Sequence, residues 1–271
     1  LKLLLRRERV SWSDTFINKG GLLQLARLVS DLCIKEWRDD QDDSLLQQLL
    51  GCYQALCTTE RGRQALKLDD RLLIMLVELL FSDKQPADYT TRTQIMKLLH
   101  QFVTTDADCE AEMSLRALVM LQDQIQPILE RPLDFLAAAH TSRPYKRWMR
   151  ELDKPVRECF WIFLHDNSIP IVPMEEFCMM EMRKPIVPQG YVGGVEWIVI
   201  EYICSHLQLI NTMLRALASE KRYQVRVDLK QSHFEKILNR LRRASQTYYE
   251  YLHEELMTWA SLAHADGWST D

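Results

Sequence analysis

The stretch YVGGVEWIVIEYICSHLQLINTMLRAL, residues 191–217, decides the fold of this chain. After Gly194 it runs to Leu217 without another Gly or Pro. Ile200, Ile203, Leu207, Ile210, Leu214 and Leu217 recur at alternating steps of three and four, the period at which side chains share one face of a packed helix. Val195, Ile198, Val199, Tyr202, Leu209 and Met213 form a second apolar row beside the first. A helix apolar on more than one side is covered on more than one side. The reading is a central packing helix or a seam between two copies, with the paired Gly193 and Gly194 as the turn that launches it. One row is expected on the C-terminal helix, the other on a second chain or on the segment just upstream. Glu196, Glu201, His206 and Arg215 interrupt the run too often for a membrane span.

The rest of the chain has the same character. Among 271 residues there are only 8 Gly and 9 Pro against abundant Leu, Arg, Glu and Gln, which favours helix over sheet. A formal net charge of −4 excludes a chain that binds nucleic acid by overall charge. Seven Cys at irregular spacing suit reduced thiols in the cytosol better than a disulfide framework, and no secretion signal is visible. The first residue is Leu, so a piece of a longer chain is expected.

Residues 1–140 read as successive short helices. Trp12, Phe16 and Ile17 form one apolar turn, stopped by Gly20 and Gly21, and Leu22, Leu25, Ala26, Leu28 and Val29 form the next stripe. Asp39, Asp40, Asp42 and Asp43 precede a helix striped by Leu46, Leu49, Leu50, Tyr53 and Leu56, where acidic groups meet the positive end of the helix dipole. Gly62 marks a turn. RLLIMLVELLF (71–81) is apolar nearly all round and hence buried. Residues 90–104 put Ile95, Leu98, Leu99 and Phe102 on one face. A short helix, a helix and a longer helix recur about twice at roughly 40 residues, the spacing of armadillo-type repeats. Such units cannot cover their own apolar faces and must stack. Residues 110–139 suggest another long helix bent near Pro127 and Pro132. From Pro144 to Pro188 prolines interrupt every run, with a helical turn at 145–152, and helices return at 194–217 and about 231–263.

Chemistry of a catalytic kind is not legible. Cys52 and Cys57 are five apart and Cys204 and His206 two apart, so neither pair shares a helix face, and no C-x-x-C or H-x-x-x-H occurs. The glycine pairs lack a phosphate-loop context. No catalytic, cofactor or metal site is expected, and the chain is read as not an enzyme. Basic residues cluster at Arg143, Lys146, Arg147 and Arg150, and again at Arg226, Lys230, Lys236, Arg240, Arg242 and Arg243. The second cluster is either a surface for anionic lipid or an acidic partner, or a solvated helix face balanced by Glu250, Glu254 and Glu255.

Three stretches, taken in order, resemble the N-terminal regulatory region of formins, most closely the fungal diaphanous-related type. VSWSDTFINKGGLLQLARLV (10–29) is similar to the helix pair that opens the family's array. CYQALCTTERGRQAL (52–66), followed by TTRTQIMKLLHQF (90–102), resembles the end of one repeat and the Thr-Arg helix of the next. WMRELD (148–153), the 191–214 run and RVDLKQSHFEKILNRLRR (226–243) resemble the family's glycine-led helix and basic segment, while 160–189 has no counterpart.

The resemblance implies an all-α fold: armadillo-like repeats over 1–140 (part of the GTPase-binding region plus formin-homology-3), an irregular connector over 141–190, and a helical packing or dimerisation unit over 191–271. It implies binding of a Rho-family GTPase, of the protein's own C-terminal autoinhibitory helix and of cortical or contractile-ring scaffold proteins. It also implies homodimerisation and a cytoplasmic place at the cortex, cell tip or division site. Nucleic acid is not an expected partner. Third helices of such repeats line a peptide groove, so Gln47, Gln54, Gln94, Lys97, Gln101 and Thr104 are the groove candidates. Ile203, Leu207, Ile210 and Leu214 are the expected dimer or core seam. The alternatives are a cortex-targeting module whose basic face binds anionic lipid, and a generic armadillo scaffold.

Overall fold

A computed structural model describes residues 1–123, 143–163, 191–245 and 248–268. Among them are thirteen α-helices and no strand. The first five are α1 (Lys2–Arg7), α2 (Val10–Asn18), α3 (Gly21–Ile34), α4 (Asp40–Leu56) and α5 (Glu60–Leu68). They are followed by α6 (Arg71–Phe81), α7 (Tyr89–Val103), α8 (Glu110–Leu121) and α9 (Lys146–Glu158). The last four are α10 (Tyr191–Ala216), α11 (Ser219–Gln231), α12 (Phe234–Leu241) and α13 (Glu250–Ala265).

Local chemistry sets the boundaries. Asp39 caps α4 by accepting from the Asp42 N–H at 2.8 Å while Asp42 returns the bond to the Asp39 N–H at 3.0 Å, a capping box that satisfies two orphan donors. Thr59 and Asp88 cap α5 and α7 in the same sense. Gly20 enters α3 with φ +80°, a conformation that side chains resist. Gly62 lies in the first turn of α5, where a Cβ would sit 2.0 Å from the Leu56 carbonyl oxygen, so only glycine lets α5 approach the end of α4.

The helices stack with a period of three. In one layer α1 packs on α4, α4 on α7, α7 on α10 and α10 on α13. In a second layer α3 packs on α6, α6 on α9 and α9 on α12. This is the armadillo-like arrangement, and each helix hides its apolar stripe only against its neighbours in the stack. The partners of α10 are therefore chiefly α7 and α13, with α8 and the upstream α9 beside them. Its second row is covered within the same chain, rather than by a second copy.

Four expectations need correction. Gly193 and Gly194 lie inside α10, which begins at Tyr191, instead of forming a turn before it. The proline-rich stretch contains a true helix, α9, that runs through Pro155. Pro155 forgoes one backbone bond, but burial of Trp148, Met149, Leu152 and Val156 on one face outweighs that loss. The single helix expected over 231–263 is instead broken: α11 ends at Gln231, His233 turns the chain with φ +74°, and α13 starts only at Glu250. Finally, α10 and α13, expected in a separate C-terminal unit, continue the layer begun by α1, α4 and α7. The bends near Pro127 and Pro132 and the unmatched segment beyond residue 163 lie outside the described residues.

Candidate functional site

The seam between the N-terminal array and the later helices is held by buried polar groups that no sequence period announces. Glu151 on α9 accepts from Arg92 Nη1 on α7 at 3.1 Å, from Tyr202 Oη on α10 at 2.9 Å and from Gln85 Nε2 at 2.9 Å. Arg92 also donates to the Pro86 carbonyl at 2.6 Å and lies over the Tyr89 ring at 4.8 Å. Both members of the ion pair are buried. Glu196 on α10 is likewise buried, and accepts from Trp161 Nε1 at 2.9 Å and Tyr249 Oη at 2.6 Å.

His206 on α10 is fully buried and accepts at Nδ1 from Trp148 Nε1 at 2.9 Å. Burial pushes its imidazole down to about 3 from an ordinary 6.5. The unfolded chain takes up a proton near pH 6.5 that the fold refuses until far lower pH. Stability from this group is thus complete above about pH 6.5 and is lost on acidification below it. Lowering the pH from about 7.5 to about 5.5 should cost roughly 1.4 kcal/mol through His206. His206→Asn, whose side-chain oxygen still accepts from Trp148, should lose that part of the slope in urea titrations at the two pH values. An unchanged slope would show that His206 already titrates normally in the fold.

The expected groove residues lie on two neighbouring helices, α4 and α7. Gln94, Lys97 and Gln101 follow at steps of three and four on α7 with Thr104 at its end, and Gln47 and Gln54, seven apart on α4, are half-buried. Their setting is more closed than an open groove. Lys97 Nζ pairs with Glu201 on α10 at 2.5 Å, His100 meets Thr212 at 3.1 Å, and the side-chain oxygens of Gln94 and Gln101 are shut off from water. Asn211 extends these cross-links to Glu255 on α13 at 2.9 Å. Thr104 remains exposed.

The other expected residues separate. Ile203, Leu207, Ile210 and Leu214 are each at most 1% exposed within the single chain, so none is open to a second copy. The basic face is not one surface. Arg226 is 2% exposed and bonded to Asp266 through Nε at 3.0 Å and Nη2 at 2.9 Å. Lys230 pairs with Glu235 and Arg240 with Asp153, while Lys236, Arg242 and Arg243 are exposed without an ion pair among the described residues.

Sequence reasoning missed an apolar groove of about 420 Å³ between α3, α5 and α6 and the end of α4. Leu22, Leu23, Ala26, Leu66, Leu72 and Met75 line it, and Arg27, Asp69 and Arg71 stand at its polar edge. Leu23 is 53% exposed. The signal was present: Leu25, Val29 and Leu32 suffice to bury α3, which leaves Leu22, Leu23 and Leu28 as surplus apolar residues.

Stacked helices, closed polar rungs and an open apolar groove define an armadillo-like helical-repeat protein. More particularly, residues 1–104 match the model of the Diaphanous GTPase-binding Domain family. The match ends one residue beyond α7. A curated relative, the GTPase-binding protein rid1 of Schizosaccharomyces pombe, is 33% identical over 270 residues, covering 99% of this chain. The chain spans 65% of that relative's length. No solved structure matches.

Proposed function

We propose that the chain is the GTPase-reading regulatory part of a Rho-signalling protein, in which α1–α7 take up the GTP-loaded form of a Rho-family GTPase. The observation that carries this reading is the family match over residues 1–104, which overlies α1–α7 from end to end. The relative's name, a GTPase-binding protein, supports it. Within that stretch the α3–α6 groove supplies what such a partner needs: an apolar centre with charged groups at its edge. Leu23→Asp combined with Arg27→Glu should weaken binding at least tenfold, about 1.4 kcal/mol. Calorimetry with Rho-family GTPases loaded with a non-hydrolysable GTP analogue or with GDP reads this. Equal affinity for both nucleotide states, or no binding across the Rho family, would sink the reading.

The finer regulatory reading follows the resemblance to formins. In it, the α4–α7 polar face takes the protein's own amphipathic autoinhibitory helix, GTPase binding displaces that helix, and the protein acts on actin assembly at the cortex, cell tip or division site. What supports this is the order and spacing of the three resembling stretches. The half-buried row of Gln47, Gln54, Gln94, Lys97 and Gln101 adds to it.

A further inference from the structure

Two basic stretches far apart in sequence become opposite walls of one groove. Arg143, Lys146, Arg150 and Arg157 come from α9 and its approach, and Lys236 and Arg240 come from α12. The groove encloses about 380 Å³. Asp153 is the one carboxylate lining it among the described residues, and it is already engaged by Arg157 at 3.1 Å and by Arg240. Arg143, Lys146, Arg150 and Lys236 are exposed and make no ion pair among the described residues. Like charges held this close in folded walls raise a local field that only an anion relieves.

The backbone adds a second observation. His233, between the two walls, has φ +74°, the left-handed turn that ends α11 and brings α12 round to face α9. It stands at the N-cap of α12 without a side-chain capping bond, which leaves the positive end of that helix directed at the groove. Desolvation, with Lys236 and Arg143 beside it, lowers the His233 imidazole below its ordinary value, as befits a site short of negative charge.

We propose that the α9–α12 groove binds a multiply phosphorylated anion of the inositol-phosphate class, free or as a lipid headgroup. Arginine forks and lysine ammoniums together match clustered phosphates, which each offer several acceptor oxygens. An acidic peptide fits less well, because peptide docking needs side-chain pockets. Here the apolar floor, Met149 and Ile237, is closed, each residue being 3% exposed. The groove lies outside residues 1–104, so its fate and that of the GTPase reading are separable.

The test uses inositol trisphosphate in calorimetry at near-physiological salt, alongside flotation with phosphatidylcholine vesicles with and without phosphatidylinositol bisphosphate. Lys146→Glu, Arg150→Glu and Lys236→Glu together should weaken binding at least tenfold. Arg242→Glu with Arg243→Glu, basic residues outside the groove, should change it less than twofold. Circular dichroism checks that both variants fold, and a rise in wild-type melting temperature with inositol trisphosphate gives a readout that needs no variant. Binding to the free anion with no vesicle binding assigns a soluble ligand. Vesicle binding competed by the free anion assigns the lipid headgroup. No binding to either probe, or equal loss in the two variants, overturns the proposal.

Discussion

Glu151→Ala lowers the stability of the chain by about 3–5 kcal/mol, read as a fall in the urea midpoint followed by circular dichroism. The size comes from what is left behind rather than from the bonds lost. With the carboxylate gone, the buried Arg92 guanidinium keeps its charge and loses its counter-ion, Tyr202 loses its acceptor, and Gln85 keeps only the Leu80 carbonyl. Because Arg92 lies on α7, Glu151 on α9 and Tyr202 on α10, the loss falls on the seam joining residues 1–104, the stretch with the family match, to the helices after it. Amide exchange should accelerate first at the start of α7 and along α9. Glu151→Gln, which keeps an acceptor for Tyr202, should cost less. Replacing the pair together, Arg92→Met with Glu151→Leu, should recover most of the stability, since a well-packed apolar pair often matches a buried ion pair. A change under about 1 kcal/mol in Glu151→Ala would show that this seam is solvated rather than sealed.

The parts of this fold that could be read from sequence are those where one period dominates. α10 announced its length and its two buried rows, because Ile203, Leu207 and Ile210 repeat without interruption. α4, α6 and α7 were legible for the same reason. α9 was not, because the proline rule argues against a helix through Pro155, and only burial of Trp148 and Leu152 against neighbours decides otherwise. The basic surface misled for a related reason. Charge along a sequence says nothing of ion pairs across it: Arg226 finds Asp266 forty residues on, whereas Lys236 finds Arg143 and Lys146 across a groove. Glu151, Glu196 and His206 looked like ordinary polar positions, and their roles depend on partners that only the stacking supplies.

Leu207→Asp yields no folded monomer; it abolishes cooperative unfolding or drives the chain into aggregates. Had α10 been a seam between two copies, the same change would have split a dimer and left each half intact. Leu207 is 1% exposed with one copy of the chain present, and Ile203, Ile210 and Leu214 around it are equally hidden. The layer from α7 through α10 to α13 covers them. A carboxylate placed there would be shut off from water, and an unpaired buried charge costs several kcal/mol beyond the lost leucine contacts. Leu207→Ala should still fold, weakened by about 2–5 kcal/mol, because it leaves a cavity but no charge. Trp197→Asp, on the exposed side of the same helix, should change stability by less than about 0.5 kcal/mol. Light scattering with circular dichroism on the three variants reads all of this together. A soluble, native-like Leu207→Asp monomer would overturn the intramolecular assignment of α10. If the expected order holds, any dimer of this chain must form through surfaces other than the rows that first drew attention to the helix.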